Sequence, residues 1–188
     1  HGHTREAQAL LMKMKAEFPK RRETQRLLAI LFGQMGRDTD AERGWLVLIT
    51  LPAAPTVDDR RLAADARRSL IALYRKTGWL PARLRALATQ LGAPAVKSGS
   101  AGAPRTDLGT VLLYLEMVAG EAELSDVRLA ESWLLPSGAP GLHPMAKRWG
   151  QDSEAAAALA RAELRQGRLA EALARLRALQ QRDADAAR

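Results

Sequence analysis

Four glycines recur along the chain between apolar segments, at Gly36, Gly78, Gly120 and Gly167, with spacings of 42, 42 and 47 residues. Around three of them, apolar residues recur every three or four positions on both sides, which is typical of amphipathic helices. Glycine readily adopts the left-handed backbone conformation that ends a helix. The pattern therefore predicts a series of helical hairpins, each with a glycine after its first helix.

The composition also favours helices over sheets. Alanine, leucine and arginine supply 89 of the 188 residues, against 6 valines and 3 isoleucines. The first three residue types favour helices, whereas β-branched residues favour strands. No apolar stretch approaches the ~20 residues that a membrane-spanning helix needs. The absence of cysteine excludes disulfides and thiolate sites. We therefore expect an all-α protein of about eight helices.

Two of the hairpins resemble tetratricopeptide repeats in the order of their large, small and aromatic residues. The matching residues of the first are Leu28, Ala29, Phe32, Gly36, Ala41, Trp45 and Pro52. Those of the other are Leu159, Ala160, Gly167, Ala172 and Leu176, with Glu163 in place of the aromatic residue. The segments around Gly78 and Gly120 match less well. The resemblance implies a right-handed α-solenoid of antiparallel helix pairs.

We expect one such array over residues 1–188, cut from a longer protein. Its units are a half repeat at 1–20, repeats at 21–55, 57–94 and 150–184, and a degenerate repeat at 106–135. Glycine, serine, alanine and proline dominate residues 92–106, which predicts a flexible loop.

Basic residues are concentrated in the second quarter of the chain. Residues 57–105 contain 10 basic and 3 acidic side chains, a net charge of +7 within a total of +8. Five arginines share one stripe of the helix predicted for residues 57–76, and they are Arg60, Arg61, Arg67, Arg68 and Arg75. This stripe is either a docking face for an acidic partner or a solvated helix surface.

Trp79 is a further candidate for partner binding. It directly follows Gly78, where side chains line one rim of a solenoid, and tryptophan and arginine dominate the energetics of many interfaces. Trp45, in contrast, occupies a packing position of the repeat and is expected in the core. The sequence thus adds one aromatic candidate to the five arginines.

The chain carries no motif for catalysis or cofactor binding: it has no glycine-rich phosphate loop, nucleophile elbow or metal-ligating helix motif. Carboxylates cluster at Glu116, Glu121, Glu123, Asp126 and Glu131. They fit the solvated faces of two helices or, in an enzyme alternative, a pair of carboxyls across a cleft. We expect no catalytic residue, no metal site, no cofactor and no small-molecule substrate.

The resemblance implies a protein-interaction scaffold, which holds an acidic surface or peptide of another protein in a concave groove formed by the first helices of its hairpins. The usage of alanine, arginine and leucine is typical of GC-rich bacteria. Lengthened, degenerate repeats are similar to the periplasmic scaffolds of bacterial exopolysaccharide export systems. We therefore expect a periplasmic protein, in contact with a membrane only indirectly.

Two alternatives stay open. A cytoplasmic regulator or chaperone would use the same groove. A polyanion-binding or nucleic-acid-binding module would instead use the basic segment 57–105. Because aromatic residues make up only 4% of the chain, the stacking platforms of nucleic-acid-binding proteins are scarce, and nucleic acid is the less favoured partner.

Overall fold

The computed structural model describes residues 2–18, 21–50, 55–92, 107–121, 128, 130–131, 134 and 152–186. Within these ranges the chain is all-α, with no strand and with eight continuous helices. The helices are α1 (Gly2–Glu17), α2 (Arg22–Gln34), α3 (Asp38–Ile49), α4 (Val57–Thr77), α5 (Leu80–Gly92), α6 (Leu108–Glu121), α7 (Ser153–Arg165) and α8 (Leu169–Ala186). The predicted fold class is confirmed at this level.

The chain divides into two compact units, unit 1 (His1–Pro81) and unit 2 (Ala82–Arg188). In unit 1, α1 packs on α2, α2 on α3, and α3 on α4. In unit 2, α6 packs on α7, and α7 on α8. The pairs α1–α2, α2–α3, α3–α4 and α7–α8 are neighbours in sequence, so these contacts are local in the chain.

Three of the four recurring glycines end a helix in the predicted way. Gly36, Gly78 and Gly167 have φ values of 71°, 71° and 74°, in the left-handed region where glycine is the least strained residue. After each glycine, the next backbone N–H donates to the carbonyl five residues earlier, at 2.9 Å in all three turns. This pairing satisfies a carbonyl at the end of the helix. Gly120, however, lies inside α6.

Small residues allow α2 and α3 to approach closely. Ala29 is fully buried, and a Cβ atom added at Gly44 would lie 2.8 Å from the Cβ of Ala29. Leu28 and Trp45 are buried beside this contact, which confirms the prediction that Trp45 belongs to the core. The apolar core of unit 1 therefore depends on a near-contact between two helix backbones.

Side chains at the start of α4 fix where this helix begins. The Thr56 side chain accepts a hydrogen bond from the backbone N–H of Asp59, whose carboxylate accepts one from the N–H of Thr56. This reciprocal pair is a capping box, which satisfies backbone donors that the helix leaves without partners. The hydrogen bonds to Thr56, followed by the charge of Arg22, hold the pKa of Asp59 below its usual value.

Several predicted features lie outside the described residues. They include most of the loop 92–106, Glu123 and Asp126. The repeat boundaries therefore stay a prediction.

Candidate partner-binding surface

The structure separates the five arginines that were expected to form one exposed stripe. Arg60, Arg61, Arg68 and Arg75 are exposed, and we call them the arginine face. Arg67 is buried, with 2% of its surface exposed, and therefore does not belong to this face. The spacing of the apolar residues predicts a buried stripe that excludes Arg67. In the structure, the buried side of α4 extends farther around the helix and includes this residue.

The arginine face follows from the period of the helix. Arg61, Arg68 and Arg75 are seven residues apart, so they lie on the same side of α4. The buried apolar residues of α4 are Ala63, Ala66, Leu70, Ile71, Leu73 and Tyr74. Since α3 packs on α4, burial of these residues leaves the three arginines in solvent.

An open groove of about 270 Å³ lies in unit 1 and includes Arg68 of the arginine face. Its lining residues are Arg26 and Ile30 from α2, Trp45 from α3, and Asp65, Arg68 and Ser69 from α4. The groove combines two guanidinium groups and the carboxylate of Asp65 with an apolar wall and a hydroxyl. Of the six residues predicted to bind a partner, Arg68 is the one in the described lining of the groove.

Both guanidinium groups of the groove already have a carboxylate partner on their own helix. Arg26 donates from Nη1 to Glu23 Oε1 at 2.7 Å, and Arg68 donates from Nη2 to Asp65 Oδ1. Both pairs span three residues and are solvent-exposed. Exposed pairs of this kind contribute about 0–1 kcal/mol. A carboxylate from a partner can therefore replace Glu23 or Asp65 as the partner of the guanidinium at little cost in free energy.

Trp79 lies at the turn between α4 and α5. It is half-buried, and its backbone N–H donates to the carbonyl of Tyr74 at 2.9 Å. The described lining of the groove does not include its side chain. Its role as an aromatic anchor stays a prediction.

A buried polar contact joins α3 to α4. The hydroxyl of Tyr74 donates to Oε1 of Glu42 at 2.9 Å, and Glu42 is 5% exposed. Sequence reasoning missed Glu42, although a charged residue directly after the packing residue Ala41 is an available signal. Because a buried carboxylate needs hydrogen-bond donors, this contact stabilises the helix pair and is not a free binding site.

Unit 2 contains a second cluster of charged groups, which we call the carboxyl cluster: Glu131, Glu163, Glu171, Arg168 and Arg175. Glu163 is fully buried and receives hydrogen bonds from Arg175 Nε at 3.0 Å and Nη2 at 2.5 Å. Glu131 receives one from Arg168 Nη1 at 2.5 Å.

Three pKa values in this cluster are shifted, and that of Glu171 is lowered by hydrogen bonds with its own backbone and with Arg168. Burial, followed by the hydrogen bond to Glu163, raises the pKa of Glu131, and these effects outweigh the opposing influence of Arg168. Burial by itself lowers the pKa of Arg168, but its hydrogen bonds and charge interactions with Glu131 and Glu171 raise it overall. The surroundings of Glu131 therefore make its carboxyl group harder to ionise than that of an ordinary glutamate.

The carboxylate pair of the enzyme alternative was expected within residues 116–131. The structure instead pairs Glu131 with Arg168 at 2.5 Å, and it places Glu116 on α6, half-buried. Among the residues that the structure describes, no group of three histidine, aspartate or glutamate side chains could hold a metal ion.

No protein family, curated protein or solved structure matches this chain. The described helices include none that combines the length and the apolar character required to cross a membrane.

Proposed function

We propose that the protein is an interaction scaffold, and that unit 1 holds an acidic, partly apolar segment of a partner protein in the groove between α2 and α4. The helices would pair antiparallel, in a right-handed solenoid similar to tetratricopeptide repeats. The observation that carries the proposal is the groove itself, since it places an apolar wall between two guanidinium groups that exchange partners readily.

Two contacts between helix ends support antiparallel pairing in unit 1. Arg22, at the start of α2, donates to the carbonyls of Leu48 and Thr50 at the end of α3. Lys76, near the end of α4, lies 3.2 Å from Asp38 at the start of α3. In this arrangement α2 and α4 are the first helices of consecutive hairpins, which is the position expected for helices that line a groove.

Charge supports an acidic partner. α4 carries six basic and three acidic side chains, and four of its arginines form the exposed arginine face. A carboxylate of the partner would bind Arg26 or Arg68, while an apolar side chain beside it would contact Ile30 and Trp45. Both kinds of contact are needed for a stable interface, because charge complementarity contributes to specificity and association rate more than to affinity.

A photo-crosslinking capture tests the proposal. A photoreactive phenylalanine analogue replaces Ser69 inside the groove or, as a control, Thr39 at the exposed start of α3. Nuclease-treated extracts of the source organism are irradiated, and the crosslinked proteins are identified. We expect one protein to crosslink from position 69, through an acidic segment, and not from position 39. Equal labelling from both positions would contradict a groove-based function.

A charge-reversal variant provides the matched comparison. Arg26→Glu/Arg68→Glu changes the groove, whereas Arg43→Glu changes an arginine of α3 that is outside the described lining and 76% exposed. The first variant should lose the partner, and the second should keep it. Capture that disappears after nuclease treatment, and falls steeply with salt, would favour the polyanion-binding alternative. The periplasm and the exopolysaccharide export pathway stay predictions, to be tested by the identity of the captured protein.

A further inference from the structure

The α7–α8 hairpin of unit 2 repeats the side-chain pattern of the α2–α3 hairpin of unit 1. Directly after the turn glycine of the first hairpin, Arg37 donates from Nε to Asp40 at 2.8 Å. At the same place in the other hairpin, Arg168 donates from Nε to Glu171 at 3.2 Å. With the two glycines aligned, four buried residues are also identical, namely Leu28 and Leu159, Ala29 and Ala160, Ala41 and Ala172, and Leu48 and Leu179. Each position of α8 therefore has an equivalent on α3.

In unit 1, α4 covers one side of α3. Asp38 lies 3.2 Å from Lys76 of α4, and Glu42 accepts a hydrogen bond from the hydroxyl of Tyr74 at 2.9 Å. Trp45 lines the groove together with residues of α4. The three α3 residues are spaced by four and three positions, so they share one side of the helix. Because Asp38 is at the start of α3 and Lys76 is near the end of α4, these contacts fit helices that run in opposite directions.

The equivalent side of α8 is exposed and carries a leucine at all three positions. Leu169, Leu173 and Leu176 take the places of the three α3 residues that contact α4, in the same order, and we call them the leucine stripe. They are 59%, 48% and 39% exposed. Among the described helices, α8 is the one on which three exposed large apolar residues share a side. Contiguous exposed apolar residues mark interaction sites, so the leucine stripe predicts a helix that covers it.

The chemistry of the leucine stripe restricts what can cover it. In unit 1, α4 presents the hydroxyl of Tyr74 and the ammonium of Lys76 to polar groups of α3. Against leucines, such groups would lose their hydrogen-bond partners. The covering helix must therefore be apolar along the length of the stripe, and by analogy with α4 it runs opposite to α8. The leucine stripe of a second copy meets both conditions, because a twofold axis across the stripe makes the two α8 helices antiparallel.

The charge beside the leucine stripe also fits this arrangement. Arg177 directly follows Leu176 and is exposed. With the twofold axis near Leu173, Arg177 of one copy lies opposite the neutral Ala170 of the second copy. In a parallel arrangement it would lie opposite another Arg177, and like charges placed opposite each other are unfavourable.

We propose that the protein forms a twofold-symmetric dimer, in which the leucine stripe of α8 packs against the leucine stripe of a second copy. Leu169 of each copy lies opposite Leu176 of the other, and Leu173 lies near the axis. All three leucines of each chain are thereby covered, and the interface closes on itself. The dimer does not depend on the groove of unit 1, whose described lining contains none of these leucines.

Analytical ultracentrifugation over a range of protein concentrations tests the dimer. We expect the mass to rise with concentration to twice that of the chain. Leu173→Ala should raise the dissociation constant by roughly 10–100-fold, because each dimer loses the contacts of two leucines. Leu173→Glu should abolish the dimer, whereas Ala178→Glu adds the same charge on the other side of α8 and should keep it.

The folding of the variants is checked separately, by circular dichroism and urea unfolding at concentrations where wild type is monomeric. Because Leu173 is half exposed, its replacement should leave the helical content unchanged. Wild type that remains a monomer up to about 100 µM would overturn the proposal. A dimer that survives Leu173→Glu would overturn it as well, because its interface would then lie elsewhere.

Disulfide crosslinking tests the arrangement of the two copies. The chain contains no cysteine, so each introduced cysteine is the single thiol of its chain. Under oxidation by copper phenanthroline, Leu173→Cys should form a disulfide-linked dimer, and Ala178→Cys should not. A mixture of Leu169→Cys and Leu176→Cys should favour the mixed disulfide over either like pair. Equal crosslinking at positions 173 and 178, or a preference for like pairs at 169 and 176, would overturn the antiparallel dimer.

Discussion

Substitution of Gly44 by alanine tests how closely α2 and α3 are packed. The added Cβ would lie 2.8 Å from the Cβ of Ala29 and 3.3 Å from its Cα. Real Cβ atoms essentially never approach another atom to 2.8 Å, and the Cα belongs to the backbone of a neighbouring helix. The two helices must therefore move apart, which loosens the contacts of the buried residues Leu28 and Trp45.

Two opposing effects decide the magnitude. Alanine is favoured over glycine within a helix by about 1 kcal/mol. Overpacking of a well-packed core typically costs about 1–3 kcal/mol, and the backbone atom of Ala29 cannot rotate away as a long side chain could. We therefore expect the steric cost to exceed the gain in helix propensity, with a net loss of roughly 1–2 kcal/mol in the free energy of unfolding.

Gly33 provides a matched control on α2, because a Cβ added there would lie 3.9 Å from the nearest side-chain atom, in ordinary contact. Gly33→Ala should be neutral or slightly stabilising. Urea unfolding followed by circular dichroism measures both variants, and hydrogen exchange of α2 and α3 amides locates the effect in unit 1. A Gly44→Ala protein as stable as wild type, or a larger loss for Gly33→Ala, would refute the close packing of these helices.

Three further predictions concern contacts between the helices of unit 1. Arg22→Ala removes a guanidinium that donates to the carbonyls at the end of α3 and lies 3.5 Å from Asp59. In a urea titration, this variant should lose about 1.5–3 kcal/mol of the free energy of unfolding. Arg22→Lys should recover only part of that loss. Tyr74→Phe leaves the buried carboxylate of Glu42 without the hydroxyl donor, and it should lower the free energy of unfolding by about 1–3 kcal/mol at neutral pH. Because the pKa of Asp59 is lowered in the folded protein, its ionised carboxylate stabilises the fold at pH values above the ordinary pKa of 3.8. This contribution is lost as the pH falls through the lowered pKa. Thr56→Ala removes a hydrogen bond that lowers this pKa, so it should flatten the acid limb of the stability profile; an unchanged acid limb would contradict the assignment.

The sequence allowed prediction of the features that depend on local structure. Glycine turns, helix periods and the all-α fold are set within a few residues, so Gly36, Gly78 and Gly167 were identified correctly as helix ends. The context of Gly120 looked similar, but this glycine lies inside α6. Helical continuity through a single glycine costs only about 1 kcal/mol, which surrounding packing readily offsets.

The candidate site was predictable only in part, because tertiary packing decides which side of a helix is buried. Arg60 and Arg67 are seven residues apart and therefore lie on the same side of α4. Arg60 is in the first turn and exposed, whereas Arg67, in the middle of the helix, is buried. Nothing within the sequence of α4 distinguishes the two. Likewise, the hydrogen bond from Arg168 to Glu131 joins residues 37 positions apart, and no local spacing indicates it.

One repeated position shows how the backbone of a hairpin can persist while its side chains diverge. Phe32, Tyr74 and Glu163 each provide the carbonyl that accepts the hydrogen bond of the glycine turn. Their side chains are stabilised in three different ways. The guanidinium of Arg37 lies 4.6 Å from the ring centre of Phe32, the hydroxyl of Tyr74 bonds to a buried carboxylate of α3, and Glu163 bonds to an arginine of α8.

The turn needs only the glycine conformation and a main-chain acceptor, and neither depends on the side chain at that position. A substitution there is tolerated wherever a neighbouring helix supplies a group that pairs with the new side chain. Changes at this position are therefore coupled to the residue that contacts the side chain, such as Arg175 for Glu163 or Arg37 for Phe32. This coupling explains physically why the three turns share one geometry, although the aromatic residue expected at this position is replaced in the third.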